Sequence, residues 1–191
     1  MLHSPEVIEI VAKKLREWNC PNIVVDPVMI SKSGDKLLQD DAVQALKECL
    51  LPLATLITPN LPEASVLLGR PVEKKEEMEQ AARDLADLGS ANVLVKGGHL
   101  TGSDSCDLLY QHKDKTLTEV FGKRIDTPNS HGTGCTLSSA IAANLARGVE
   151  LKTAVKNAKA YIIGALFAGA AYKTGRGHGP VHHFYDLWPK Q

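Results

Sequence analysis

The chain has 191 residues, 43% of them hydrophobic and 23% charged, which is enough for one sizeable core. Its 22 basic and 22 acidic residues cancel, which argues against a nucleic-acid or anionic-membrane partner. No apolar run approaches the length of a bilayer span, the opening "MLHSPEVIEI" lacks a secretory pattern, and Cys20, Cys49, Cys106 and Cys135 form no C-x-x-C pair, so a cytoplasmic protein with reduced thiols is expected.

Ser4-Pro5-Glu6 reads as an N-cap with proline at the first helical position, opening an amphipathic helix to about Trp18. "NIVVDPVM" is an apolar strand stopped by Pro27. The polar turn "SKSGDK", whose Lys32 reads as solvated, leads to a helix over about Asp40 to Leu50. "ATLITPN" is a second strand, followed by helices over Leu61 to Leu68 and Lys74 to Leu88, the latter closed by Gly89. "ANVLVKGG" is a third strand, and "SCDLLYQ" with "LTEVFGKRI" makes a hairpin around "HKDK". Helices from Cys135 to about Arg147 and from about Leu151 to Tyr172 precede a Gly- and His-rich tail. Strands alternating with helices predict an α/β fold, with a mainly parallel sheet covered on both faces. With no repeats or linkers, residues 1–191 read as one domain. Ligands in such a sheet bind beyond the carboxyl ends of the strands. The clusters "DPVM", "TPNLPE", "VKGGH" and "NSHGTGC" all fall at such ends.

Gly132-Thr133-Gly134 hands the chain to a small-residue helix through Cys135. Glycines admit conformations and close approaches that side chains forbid, and a helix N-terminus favours an anion. The same pattern also suits a turn before a buried helix whose first residue must be small. "GTGCTL" is not G-x-G-x-x-G, since Leu137 takes the last glycine position, and no Gly-Lys-Ser/Thr loop occurs. A thiol at a helix N-terminus is more acidic than the ordinary value of ~8.5, and could act as base or nucleophile; a bound polyphosphate opposes that. Asn60 and Glu63 have the spacing of a capping box, or alternatively of groups that hold magnesium-bound water beside a phosphate. Asp26 is a turn residue or a ligand at a strand end. Lys96, directly before Gly97-Gly98-His99, either snorkels to solvent or meets a phosphate that the glycines let approach. His178, His182 and His183 lack an acidic partner at metal-ligand spacing and read as solvated or stacking residues.

In order along the chain, "VVDPVMISKSGDKLL", "LITPNLPEA", "VLVKGGH", "NSHGTGCTLSSAIAA" and "GHGPVHHF" closely resemble the hydroxymethylpyrimidine phosphate kinases of thiamine biosynthesis, in the ribokinase-like superfamily. "HGTGCT" with "GHGPVHH" is quite specific, whereas "TPN-x-x-E" is shared more widely across that superfamily. The resemblance implies a three-layer α/β/α sandwich and an enzyme that uses ATP and Mg²⁺ to phosphorylate hydroxymethylpyrimidine, its monophosphate, or both. It implies Cys135 as the base for the attacking hydroxymethyl group, where most of the superfamily carries aspartate. Gly132, Thr133 and Gly134 would line an anion hole for the transferring phosphoryl group. Asn60 and Glu63 would position magnesium and its waters, and Lys96 with Gly97 would meet the nucleotide phosphates. Asp26 would face the metal, and Val28 and Met29 the pyrimidine. A homodimer is implied as well. One departure stands out. Family members begin with a further strand, a "GSD"-like loop and a glutamine that hold the pyrimidine, whereas Met1 here coincides with the methionine of an internal "GML" segment. An N-terminally truncated chain is therefore expected, with two alternatives: a non-catalytic nucleotide- or partner-binding relative, or a cysteine-type pyridoxal kinase.

Overall fold

The structure is a computed structural model that describes residues 2–29, 37–98, 104–173 and 175–188. Lys32 with its turn, and His99, lie outside the described residues. The elements are α1 (Pro5–Glu17), β1 (Val24–Val25), α2 (Asp40–Ala45), β2 (Leu56–Ile57), α3 (Leu61–Leu68), α4 (Lys75–Ala86), β3 (Asn92–Val95), β4 (Asp104–Gln111), β5 (Thr116–Lys123), α5 (Thr133–Ala146) and α6 (Leu151–Gly169).

Each expected element is present, and the differences have local causes. β1 and β2 are two residues each. Pro27 and Pro59 follow closely and have no N–H to give a ladder. The expected helix over 40–50 is α-helical only to Ala45, then widens to a π turn over Leu46–Leu50 and tightens to a 3₁₀ turn over Leu51–Leu53 around Pro52. Gly69 ends α3 at φ +66, a left-handed cap that glycine adopts without strain.

The sheet runs β1-β2-β3-β4-β5, with β1, β2 and β3 parallel and β4 antiparallel to β3. Successive strand residues face opposite sides. Ile57, Val93, Val95, Leu108 and Tyr110 join one hydrophobic core. Leu56, Leu94 and Leu109 point to the other face and are equally inaccessible, each 0% exposed. A sheet buried on both faces, mainly parallel and interleaved with helices, is the three-layer α/β/α class that the sequence pattern predicts.

Two compact units divide the chain: residues 1–101 with 106–119, and residues 102–105 with 120–191. In the first, Ile8 and Ala12 of α1, Leu67 of α3, Met78 and Leu85 of α4, and Leu51 pack against the sheet. In the second, α5 packs along α6, where Ile141 and Leu145 are buried, as are Ala154, Val155, Ala158 and Ile162. Glu150 caps α6 by accepting from the N–H groups of Lys152 and Thr153 at 2.9 and 3.0 Å. Among the described residues, no helix is long and apolar enough to cross a membrane.

Buried Asn129 ties the second unit together by donating from its side-chain amide to Gly169 O at 2.7 Å and Tyr172 O at 2.6 Å. Gly179 lies so close that a Cβ there would overlap the Asn129 carboxamide oxygen. Gly179→Ala is therefore expected to cost about 1–3 kcal/mol, as overpacking does. Thermal unfolding measures it, and an unchanged midpoint would show that the carboxamide moves aside freely.

Candidate active site

Parallel register brings the residues that follow β1, β2 and β3 to one end of the sheet, since Val25 pairs with Ile57 and Ile57 with Val93. Asp26 follows β1, Thr58 follows β2, and Lys96 follows β3. Lys96 forms a parallel bridge with Asn60, and its N–H donates to Pro59 O at 2.8 Å. Its ammonium donates to Asp26 Oδ1 at 2.8 Å and stands 3.8 Å from Glu63 Oε2. The Thr58 hydroxyl donates to the same Asp26 oxygen at 3.0 Å. The Lys96 and Asp26 side chains are only 12% and 13% exposed, so Lys96 is not a snorkelling surface residue.

Asn60 and Glu63 close a complete capping box at the start of α3. Asn60 N–H donates to Glu63 Oε2 at 2.7 Å, and Glu63 N–H donates to Asn60 Oδ1 at 2.8 Å. Capping does not exhaust Glu63. Its side chain is buried, and burial raises its carboxyl from 4.5 to about 7 against the opposing pull of Lys96 and the Asn60 N–H, with Asp26 adding a further upward push. The carboxylate therefore changes charge near neutrality. Asp26 and Glu63 together present hard oxygen donors, the set that suits a magnesium ion bound through one or two carboxylates, waters and phosphates. A divalent cation would add to the positive charge that Lys96 already brings to the desolvated Glu63, so the residues fit the ion. Beyond these two, no group of three or more His, Cys, Asp or Glu is gathered for a metal among the described residues.

Gly97 is buried, and its N–H donates to Asp107 Oδ1 at 3.0 Å. Asp107, 3% exposed on β4, was missed in the sequence, where a lone acid inside the apolar run "CDLLY" is the only cue. Val28 is half-buried, while the Met29 side chain is part of the core of the first unit.

In the second unit, Gly132 caps α5 at φ +85, a left-handed conformation that explains the glycine. Thr133 donates its hydroxyl to Ser130 O at 2.7 Å, and Thr136 N–H donates to Gly132 O at 2.9 Å, so the turn and the helix start are one hydrogen-bonded piece. Gly134 and Cys135 occupy the first helical turn, where N–H groups point outward along the axis and the helix dipole favours an anion. Cys135 is exposed. An open pocket of about 700 Å³ lies beside it, lined by Gly132, Cys135, Thr136, Ser139, Tyr161 and His183. The tail histidines are spread over separate contacts. His178 Nδ1 lies 3.2 Å from Pro128 O, His182 packs edge-on against Tyr172 and Trp188, and His183 Nε2 is 3.0 Å from Thr136 Oγ1. The stacking expected from the sequence is thus seen for His182. The place of His183 in the pocket was missed.

A family model described as phosphomethylpyrimidine kinase matches residues 1–182. The hydroxymethylpyrimidine/phosphomethylpyrimidine kinase of Rhizobium meliloti is 49% identical over 189 residues, which cover 98% of this chain and 70% of that protein. The thiamine biosynthesis bifunctional protein ThiED of Geobacter sulfurreducens is 48% identical over 96% of this chain, which spans only 36% of its length. A Bacillus subtilis pyridoxal kinase solved as an ADP complex superposes with a TM-score of 0.87 at 38% identity, covering 97% of this chain and 68% of that one.

Proposed function

The chain belongs to the phosphomethylpyrimidine kinase family, and on that premise we propose how its residues move a phosphoryl group from ATP to hydroxymethylpyrimidine, its monophosphate, or both, in thiamine biosynthesis. The observation that carries the assignment of roles is the Gly132 turn, which delivers an exposed Cys135 into the first turn of α5. In this reading residues 1–191 make one kinase domain.

Cys135, as thiolate, accepts the proton of the attacking oxygen, which belongs to the hydroxymethyl group of the alcohol or to the protonated phosphate of the monophosphate. The freed oxygen bonds to the γ-phosphorus as the bond from that phosphorus to the β–γ bridging oxygen breaks, and ADP leaves. Amides of Gly132, Thr133 and Gly134 meet the charge on the transferring oxygens, preorganised by the helix itself. Lys96, with Asn60, meets the nucleotide phosphates and Val28 lies on the pyrimidine side, whereas Gly97, whose N–H is held by Asp107, and Met29, packed in the core, act only by backing these contacts. Asp26 and Glu63 would hold magnesium. When bound, that ion neutralises charge on the phosphate oxygens. The rest of the work is placement by the chain, which suits a reaction that needs little covalent participation from the protein.

The test is direct. The 191-residue chain is given Mg-ATP and hydroxymethylpyrimidine phosphate, and phosphorus NMR follows the diphosphate product; the alcohol and pyridoxal are offered in parallel. Pyrimidine diphosphate is the expected product. Saturable ATP binding without any product would overturn the kinase reading in favour of a nucleotide-binding relative, and turnover of pyridoxal alone would move the substrate. The reading also takes the enzyme to be a cytoplasmic homodimer, and light scattering in solution measures its mass.

A further inference from the structure

The tail of the second unit returns to the start of α5 and holds it from both sides. Before the turn, His131 N–H donates to Gly179 O at 3.0 Å and Val181 N–H donates to His131 O at 3.3 Å, forming a parallel bridge. After it, His183 Nε2 meets Thr136 Oγ1 at 3.0 Å. Residues 132–135, the turn and the thiol, lie between these two attachments. The tail is itself tied to α6. His182 N–H donates to Ala165 O at 3.0 Å, the Tyr161 hydroxyl donates to His183 O at 2.7 Å, and Tyr185 packs so tightly on Gly164 that a Cβ there would overlap its ring. A threonine hydroxyl within a helix commonly turns back to the carbonyl four residues earlier, which bends the helix. For Thr136 that carbonyl belongs to Gly132, the pivot of the turn. His183 offers the hydroxyl an outside partner in its place.

We propose that His183 is a positioning residue for the transfer: through Thr136 it fixes the first turn of α5 so that the amides of residues 132–134 and the Cys135 thiol are aimed together. The proposal rests on the kinase reading above, but its geometry is independent of that reading. Displacing a reacting group by about 1 Å costs up to ~10²-fold in rate, and losing one hydrogen bond that restrains it costs less, so His183→Ala is expected to lower kcat about tenfold with little change in KM for ATP.

A second readout needs no turnover. Alkylation of Cys135 by iodoacetamide, resolved by peptide mass spectrometry across pH, reports where the thiol sits relative to the helix end. His183→Ala should shift that profile, and His183→Gln, which keeps a hydrogen-bonding nitrogen or oxygen in nearly the same place, should restore both profile and rate. Thr136→Val should reproduce the loss from the other side, with no further loss in the double variant, as expected for partners in one bond. The proposal is overturned if His183→Ala lowers thermal stability while leaving profile and kcat unchanged. It is equally overturned if the two single losses multiply in the double variant. A wild-type chain without kinase activity would sink the functional reading, yet the alkylation profile would still decide the role of His183.

Discussion

Cys135→Ala is expected to all but abolish turnover and to leave nucleotide affinity nearly intact. The thiol stands exposed in the first turn of α5, so its removal opens no cavity and breaks no core contact. A positioned general base accelerates proton transfer by about 10²–10⁴-fold, and a loss of that size is expected in kcat. The proposed ATP contacts are backbone amides and Lys96, none of which the substitution removes. Single-turnover rates and calorimetric titration with ATP separate the two quantities. Near-normal rates would remove Cys135 from the role of base. A parallel collapse of ATP affinity would show that the side chain shapes the anion site rather than the proton transfer.

Glu63→Gln carries the second large effect, and it acts on stability and activity in opposite directions. The folded carboxyl sits at about 7 against 4.5 for the free group. Between those values the native state holds a proton that the unfolded state has released, so native stability falls as pH rises from about 4.5 through 7. Above that window the wild-type protein bears the full cost of a buried carboxylate, about 3 kcal/mol at ~1.4 kcal/mol per pH unit. Gln keeps an acceptor for the Asn60 N–H and so preserves much of the capping box. The variant should therefore be at least as stable as wild type at pH 8, with an unfolding midpoint that stays flat where that of the wild type declines. Its rate should nonetheless drop by about two orders of magnitude, as expected for loss of the carboxylate proposed to hold magnesium. Magnesium should raise the wild-type midpoint at pH 8 and leave that of the variant unmoved. A loss of stability at every pH with unchanged kcat would make Glu63 a cap and nothing more.

The two predictions draw on different levels of the molecule. The setting of Cys135 was legible in the chain itself, because a glycine turn followed by a small-residue helix is a local pattern, and Gly132 does take the positive φ such a turn requires. The perturbed carboxyl was not. The spacing of Asn60 and Glu63 announces a capping box, which is present, but nothing in "TPNLPE" says that Glu63 is 3% exposed. Desolvation depends on what packs around a group, and those neighbours come from distant parts of the chain.

The sequence by itself determined the kinds and order of the elements, the parallel core of the sheet, and which strand ends carry polar groups. These follow from short-range physics: the period of apolar residues, the missing N–H of Pro27 and Pro59, and the freedom of glycine at helix ends. Tertiary structure alone decided that Lys96 pairs with Asp26, 70 residues away, that Asp107 holds the Gly97 amide, and that His183 reaches Thr136. Each of these joins residues whose separation along the chain carries no periodic signal. Only assembly of the sheet, or packing of the tail on α6, brings them within hydrogen-bond distance, where charge and burial can act on one another.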